Sequence, residues 1–449
     1  MQPQNTNKKK ILFANMAADG HFNPLTGIAA HLLEQGHDVR WYTSKQYEEK
    51  IQKMGIPMYR FKRALEMNIE NVDELFPDRE ANTSKLAKLK YDMKNIFILR
   101  GPEFAEDIKE IYEEFDFDVL VADILFVGAP LIKEALKVPV VLIGICPLMS
   151  SSKDWAPTGL GLTPANSVLG RTKHRMLRWV ARNILFKEVG NFMNDVYVRY
   201  GIPPYKGLLF DGWMEKGDLL LQSGVPGFEY QRSDMPSNVR FVGALLPEHL
   251  KKAGNFSLAH KLKQYNKVIL VTQGTAERDV EKLIVPVLEA YKNSRYLVIA
   301  TTAGSKTQEL RERFPYENLM IEDFINFNEV MPLADVYVTN GGYGGVMLAI
   351  SHGLPMVLAG LHEGKNEITA RAGYFGLGEN LNTEKPTVQQ LKQGVEKVLK
   401  GEEYRDNVVR LAEEFANYDT YQLCEKYIME LLEKRGPVVR RLSGQFSLS

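Results

Sequence analysis

The chain has 449 residues, 45% of them hydrophobic and 25% charged, which is too long for one ordinary core and suits two domains of about 200 residues each. Lys plus Arg and Asp plus Glu stand at 56 each, so the formal charge is zero and no global field recruits nucleic acid or an anionic membrane. Two cysteines, Cys146 and Cys424, lacking a C-x-x-C pattern and a histidine at ligand spacing, argue against a disulfide scaffold and against a zinc site. The opening MQPQNTNKKK has no apolar signal core, and no apolar run approaches the roughly 18 residues of a membrane span. A cytoplasmic protein without stable membrane insertion is expected.

In chain order, short apolar runs come at Lys10–Met16, Asp38–Thr43, Pro57–Phe61, Val119–Ile124 and Val138–Ile145, with helical patterns between most of them. That alternation predicts parallel βαβ units. The runs VLVADILF and VPVVLIGI are apolar almost throughout, as strands covered on both faces must be.

Directly after the first run comes AADGHFNP. Here Gly20 permits a tight turn, His21 sits at its tip, and Pro24 suits the first turn of a helix over Pro24–Gln35. His21 then lies at the carboxyl edge of the sheet, where ligands bind in open α/β folds. Imidazole titrates nearest neutrality, so it can take a proton from a hydroxyl; the plainer alternative is a cap for the neighbouring helix. Asp123 interrupts VLVADILF, and a buried carboxylate needs a donor. If its strand lies near the first, Asp123 can accept a hydrogen bond from one nitrogen of His21 and leave the other free as a base. Its alternative role is to cap the helix containing Gly128–Lys137.

Leu65–Leu99 and Pro147–Tyr200 are less regular and rich in Met, Phe and Trp, which fits either a variable substrate pocket or surface helices. Phe22, Met149 and Trp155 are the candidate acceptor contacts. The stretch GVPGFEYQRSDMPSNVRFVGALLPEHLKKAGN reads as an interdomain connection with one last strand, Val239–Val242. The boundary falls near Leu246.

The same rhythm restarts at Val268–Thr272, Tyr296–Thr301, Leu319–Phe324, Asp335–Asn340 and Pro355–Gly360. There DVYVTN runs into GGYGGVMLAISHG, so Gly341, Gly342, Gly344 and Gly345 surround a strand-to-helix turn at Tyr343. Successive N–H groups and a helix N-terminus of about half a positive charge suit a diphosphate, although glycines also serve close helix–sheet packing. No G-x-G-x-x-G follows the first strand and no P-loop occurs, which argues against a dinucleotide oxidoreductase and a P-loop NTPase. Gln273 and Thr275 end the first strand of this half, Phe324 offers a face for a base, and LHEGKNE supplies groups for sugar hydroxyls. From Thr383 the pattern is helical to Lys434, with breaks near Gly401 and Tyr418. The domains expected are 1–245, 246–419, a helix over 420–434 returning to the first domain, and a flexible tail over 435–449.

Taken together, these motifs resemble the UDP-glycosyltransferase family, the inverting GT-B enzymes that include macrolide, flavonoid and terpenoid glucosyltransferases. DGHFNP resembles the family's GHxxP element, and VLVADILFVGA the strand that supplies its aspartate. DFINFNEVMPLADVYVTNGGYGGVMLAISHGLPMV resembles its donor-binding signature. The resemblance implies two Rossmann-like domains facing across a cleft, His21 as general base and Asp123 as its partner. It further implies Phe324 under the base, Ile325 at its edge, and Asn340 to Gly345 round the phosphates. Asn340 stands where the family usually has His, and Gly344 and Gly345 where many members have Asn and Ser. Gly364 and Lys365 replace the acidic–Gln pair that reads the sugar, so Glu363 and Lys365 are the candidates there. The implied reaction moves a hexose, glucose by family default, from a UDP-sugar co-substrate to a small hydrophobic acceptor, with no cofactor and no metal. Competing readings are a lipid-linked-sugar transferase of the peptidoglycan-precursor type, for which Lys173–Arg182 is a basic and apolar patch, a sugar-nucleotide epimerase, and a non-catalytic nucleotide-sugar-binding protein.

Overall fold

The apolar runs assemble into two parallel sheets. In the first, β1 (Lys10–Ala14), β2 (Asp38–Thr43), β3 (Met58–Arg60), β4 (Val119–Asp123), β5 (Val140–Gly144), β6 (Leu219–Gln222) and β7 (Val239–Phe241) lie in the order β3-β2-β1-β4-β5-β6-β7. In the second, β8 (Lys267–Thr272), β9 (Tyr296–Thr301), β10 (Leu319–Glu322), β11 (Val336–Thr339), β12 (Met356–Leu358) and β13 (Gly378–Asn380) lie in the order β10-β9-β8-β11-β12-β13. The computed structural model describes residues 8–68, 71–79, 81–82, 84–247, 261 and 264–435.

Every residue of β4 and β5 is buried, as their unbroken apolar sequences require of central strands. Helices cover both faces of each sheet, leaving two apolar layers per sheet. In both sheets the strand order reverses once, between β1 and β4 and between β8 and β11. The registers Ala14 to Ala122 and Thr272 to Thr339 set the residues that follow these strands side by side at the carboxyl edge. Those two points are where an open parallel sheet binds ligands.

The last helix, Thr420–Arg435, returns to the first sheet. Cys424, Ile428 and Leu432 enter the same apolar layer as Phe13 and Leu25, a burial worth about 1.5–3 kcal/mol for Ile428 or Leu432 alone. Glu425 meets Nε2 of His31 at 2.8 Å across this seam. A Cβ at Gly27 would lie 2.4 Å from the Tyr421 hydroxyl, so the crossing depends on glycine there.

Strand limits depart from the sequence reading by one or two residues at several ends. β6 and β13 were not anticipated: LLLQ is very short, and GEN is a polar edge strand with no apolar signal. The helix after β1 runs Asp19–Glu34 instead of Pro24–Gln35, beginning at an extended Ala18. No tight turn forms at Gly20, and Pro24 lies within the helix, where it cannot donate to the Gly20 carbonyl. His21 consequently belongs to the first helical turn. The breaks at Gly401 and after Ala416 are present. The proposed tail beyond Arg435 lies outside the described residues, as does the connection over 248–260.

Candidate functional site

At the β1/β4 edge, Asp123 ends its strand fully buried. One carboxylate oxygen accepts the Met16 amide at 2.8 Å; the other accepts the Leu125 amide and Nδ1 of His21, both at 2.8 Å. Three donors offset the cost of burying the charge. Gly128 is the N-cap of the helix Ala129–Leu136 and no side chain caps it, so Asp123 does not serve as its cap. A carboxylate only accepts, so Nδ1 of His21 carries the proton of the neutral ring and Nε2 keeps a lone pair. Two main-chain bonds fix the carboxylate independently of the ring it aims. His21 is partly exposed, with solvent reaching one side.

At the β8/β11 edge the material is different. The Asn340 side chain donates to the Gln273 carbonyl, tying the ends of the two strands together. Gly341 has φ of 80°, and a Cβ on it would stand 2.6 Å from Thr369. At Gly345 a Cβ would meet the Tyr337 hydroxyl at 2.9 Å. Packing therefore demands these two glycines. It does not demand the others: a Cβ at Gly344 meets nothing within 4 Å, and one at Gly342 meets only Asn340 Oδ1 at 3.8 Å. The open space lies before the N-terminus of helix Tyr343–Ser351, whose N-cap Gly342 has no side chain to satisfy the first amides. The first return bond runs from Val346 N–H to the Gly342 carbonyl.

Around this opening, Gln273 is buried with Oε1 unpartnered, and Thr275 is exposed in the turn beyond it. Lys365 ion-pairs with Glu363 at 2.6 Å, and Glu363 sits at φ of 57° before Gly364 opens the helix Lys365–Tyr374. Burial raises the carboxyl of nearby Glu277, but hydrogen bonds from Lys282 and the Asp279 amide, with the charges of Lys282 and Lys365, hold it below the usual carboxylate range. Phe324, after β10, is 73% exposed, a large ring left in solvent two strands from β8. Its neighbour Ile325 is half-buried against the core.

The two carboxyl edges meet. Tyr343, expected beside the phosphates, turns its buried ring the other way: its hydroxyl donates to the Ser223 carbonyl just past β6 at 2.6 Å. Only its main chain belongs to the glycine turn. With β5 between them, β4 and β6 stand about 10 Å apart, which is the lateral scale separating Asp123 from this contact.

A second crossing went unread in the sequence. Arg371 pairs with Glu367 at 2.9 Å and Glu229 at 3.1 Å, all three buried, and lies 4.4 Å from the Tyr230 ring. Glu367 accepts the amides of Gly159 and Gly161, and Glu229 the amide of Leu148. The second half thereby holds the loop that follows β5 in the first. The available signal was the i,i+4 spacing of Glu367 and Arg371 around the apolar ITA.

The acceptor candidates fare unevenly. Phe22 is core: it stacks on Tyr47 with ring centroids 4.1 Å apart and touches Trp41. Phe22 lies on the buried face of helix Asp19–Glu34, in the same apolar layer as Phe13 and Leu25, and is closed to an acceptor. Trp155 is also buried, edge-on to Tyr230 and under Arg232. Met149 is half-buried against the first core.

Comparison with known proteins agrees with this fold. The family model "Erythromycin biosynthesis protein CIII-like, C-terminal domain" matches residues 293–431. Over 410 residues the chain is 33% identical to 4'-demethylrebeccamycin synthase of Lentzea aerocolonigenes, covering 91% of this chain and 96% of that protein. It is 30% identical over 449 residues to UDP-glycosyltransferase 2 of Phaeomoniella chlamydospora, covering 95% and 96%. Among solved structures, the calicheamicin glycosyltransferase CalG4 shares the fold with a TM-score of 0.74 at 18% identity, over 96% of this chain and 100% of that one. With relatives matched along nearly its whole length and two parallel-sheet domains joined at their carboxyl edges, the chain belongs to the UDP-glycosyltransferase family and is a glycosyltransferase of GT-B architecture.

Proposed function

We propose that the chain transfers a hexose, glucose from UDP-glucose as the default, to a hydroxyl of a small hydrophobic acceptor with inversion at the anomeric carbon. The observation that carries this reading is the His21–Asp123 pair, buried on the carboxylate side and open on the imidazole side, at the strand-order reversal of the first sheet. Nε2 of His21 takes the acceptor proton as the hydroxyl oxygen forms its bond to the anomeric carbon. The bond from that carbon to the diphosphate oxygen breaks, and UDP leaves with the electron pair. Asp123 stabilises the imidazolium that results.

On the donor side, the amides at Gly342 to Gly345 and the helix N-terminus receive the diphosphate, with Thr275 and Gln273 beside it. Phe324 stacks on the uracil and Ile325 lies at its edge. Lys365, released from Glu363, faces the sugar. Because main-chain dipoles take the leaving charge and the donor half has no D-x-D element, turnover is expected to persist in chelator. Relatives named for UDP-sugars and for the natural products rebeccamycin and calicheamicin support a nucleotide-sugar donor and a natural-product acceptor, such as a phenol, terpenoid or macrolide.

The test is mass spectrometry of the chain with UDP-glucose and a panel of phenolic and terpenoid alcohols in EDTA, with product configuration read by NMR. A β-linked hexoside is expected from the α-linked donor. Donor binding without product from any acceptor, a retained configuration, or loss of activity in EDTA would each count against the proposal.

A further inference from the structure

The excursion between β5 and β6 contains an unusual stretch of surface. Residues 155–187 hold six Lys or Arg and no Asp or Glu, in a chain whose formal charge is zero. Within it lies the helix Val168–Val180, capped by Ser167, whose side chain accepts the Gly170 amide. His174 and Ala181 are buried on its inner side, and the Arg178 guanidinium anchors that side to the carbonyls of Trp155 and Lys153.

At about 100° per residue, positions opposite His174 and Ala181 should be polar in an ordinary surface helix. Here they are apolar and bare: Leu169 is 81% exposed, and Met176 and Trp179 are each 59% exposed. Ile184, in the next turn, continues the strip. Arg171, Arg175 and Arg182 flank it on one side and Lys173 on the other, all exposed. The helix thus has an inverted pattern, with a positive inner anchor, apolar outer crest and cationic shoulders.

We infer that this helix docks the enzyme peripherally on an anionic lipid surface. An outward apolar crest carrying Trp between rows of cations is the arrangement that buries a helix in the boundary between headgroups and acyl chains. The charge complementarity selects the occupant. Headgroups offer negative charge on both shoulders at once and hydrocarbon under the crest, whereas a convex helix gives a folded acidic protein no groove to fill. No described helix is long and apolar enough to cross a membrane, so the contact is one of surface burial. The inference stands apart from the transfer chemistry and adds a location to it: the helix belongs to the excursion that leaves the same carboxyl edge as His21.

The experiment is flotation of the full chain with phosphatidylcholine vesicles, with and without phosphatidylglycerol. Wild type is expected to float with the anionic vesicles and to be released by high salt. The variant R171Q/R175Q/R182Q should lose about 100-fold in partition, taking about fivefold per cation near the surface. The variant L169S/M176S/W179S should also stay unbound, while both variants keep the circular dichroism of wild type and melt within a few degrees of it, since these side chains are mostly exposed. Absence of flotation by wild type, or retention of binding by either folded triple variant, overturns the inference. So does light scattering that finds a dimer dissolved by L169S/M176S/W179S, which would assign the crest to a second copy of the chain.

Discussion

The two strand-order reversals occupy the same topological place and are built from opposite materials. At β1/β4 the edge carries a carboxylate and an imidazole, aimed by hydrogen bonds to named atoms. At β8/β11 it carries glycines, and the group on offer is the main chain itself. The first arrangement fixes one imidazole at one point. The second presents main-chain N–H groups at a helix N-terminus beside glycines that packing does not demand. A two-domain transferase needs both: chemistry localised on a side chain, and charge stabilisation spread over amides that cannot be titrated away.

The largest effect that would sharpen this contrast is at His21. His21→Ala is expected to lower turnover by roughly 10² to 10⁴, measured as initial rate at saturating donor. Asp123→Asn should come close behind, because an amide can neither hold the ring's tautomer against two backbone N–H groups nor stabilise the imidazolium.

Next comes the crossing that joins the halves. Arg371→Met leaves Glu229 and Glu367 buried without their cation and should cost about 3–5 kcal/mol, read as lowered thermal stability and faster proteolysis of the loop containing Gly159. At the nucleotide platform, Phe324→Ala should weaken UDP binding by about 1–3 kcal/mol, the worth of one stacked base, while stability stays unchanged because the ring is exposed. Equal loss of stability would place Phe324 in the core instead.

The glycines give a finer discrimination. Gly341→Ala forces a side chain to φ of 80° and into Thr369, so a stability loss of about 1–2 kcal/mol is expected alongside weaker donor binding. Gly344→Ala meets nothing in the fold and should leave the melting temperature unchanged while crowding the diphosphate. If both variants behaved alike, the turn would be a packing device only.

The smallest effect is a pH dependence of the seam with the last helix. Burial lowers the pKa of His37 against the opposing pull of Glu425, so the folded state binds fewer protons than the unfolded one. Stability from this group is complete above the unfolded value of about 6.5 and is lost as pH falls from there through the lower folded value. His37→Gln should flatten the change in melting temperature between about pH 7 and pH 5.

Which parts were legible follows from how each part is made. The central strands announced themselves because two covered faces force unbroken apolar runs, and Asp123 stood out because it broke one. His21 stood out by its place after β1, where the expected tight turn is the start of a helix. β13 gave no signal because an edge strand of three polar residues needs none of the usual composition. Phe22 and Trp155 misled because an aromatic near a site is indistinguishable by type from one beneath it, and only the helix phase decides. Arg371 stayed hidden because its partners are 4 and 142 residues away, and the longer separation is fixed only by the closure of the halves.

Proton removal and donor holding, if they reside in different halves, are separable. Isothermal titration of UDP into His21→Ala, beside wild type, tests this most directly. A dissociation constant unchanged within about twofold is expected for a variant whose turnover has fallen by the factor of a lost general base. A parallel loss of UDP affinity and turnover would contradict it, because His21 would then be holding the donor.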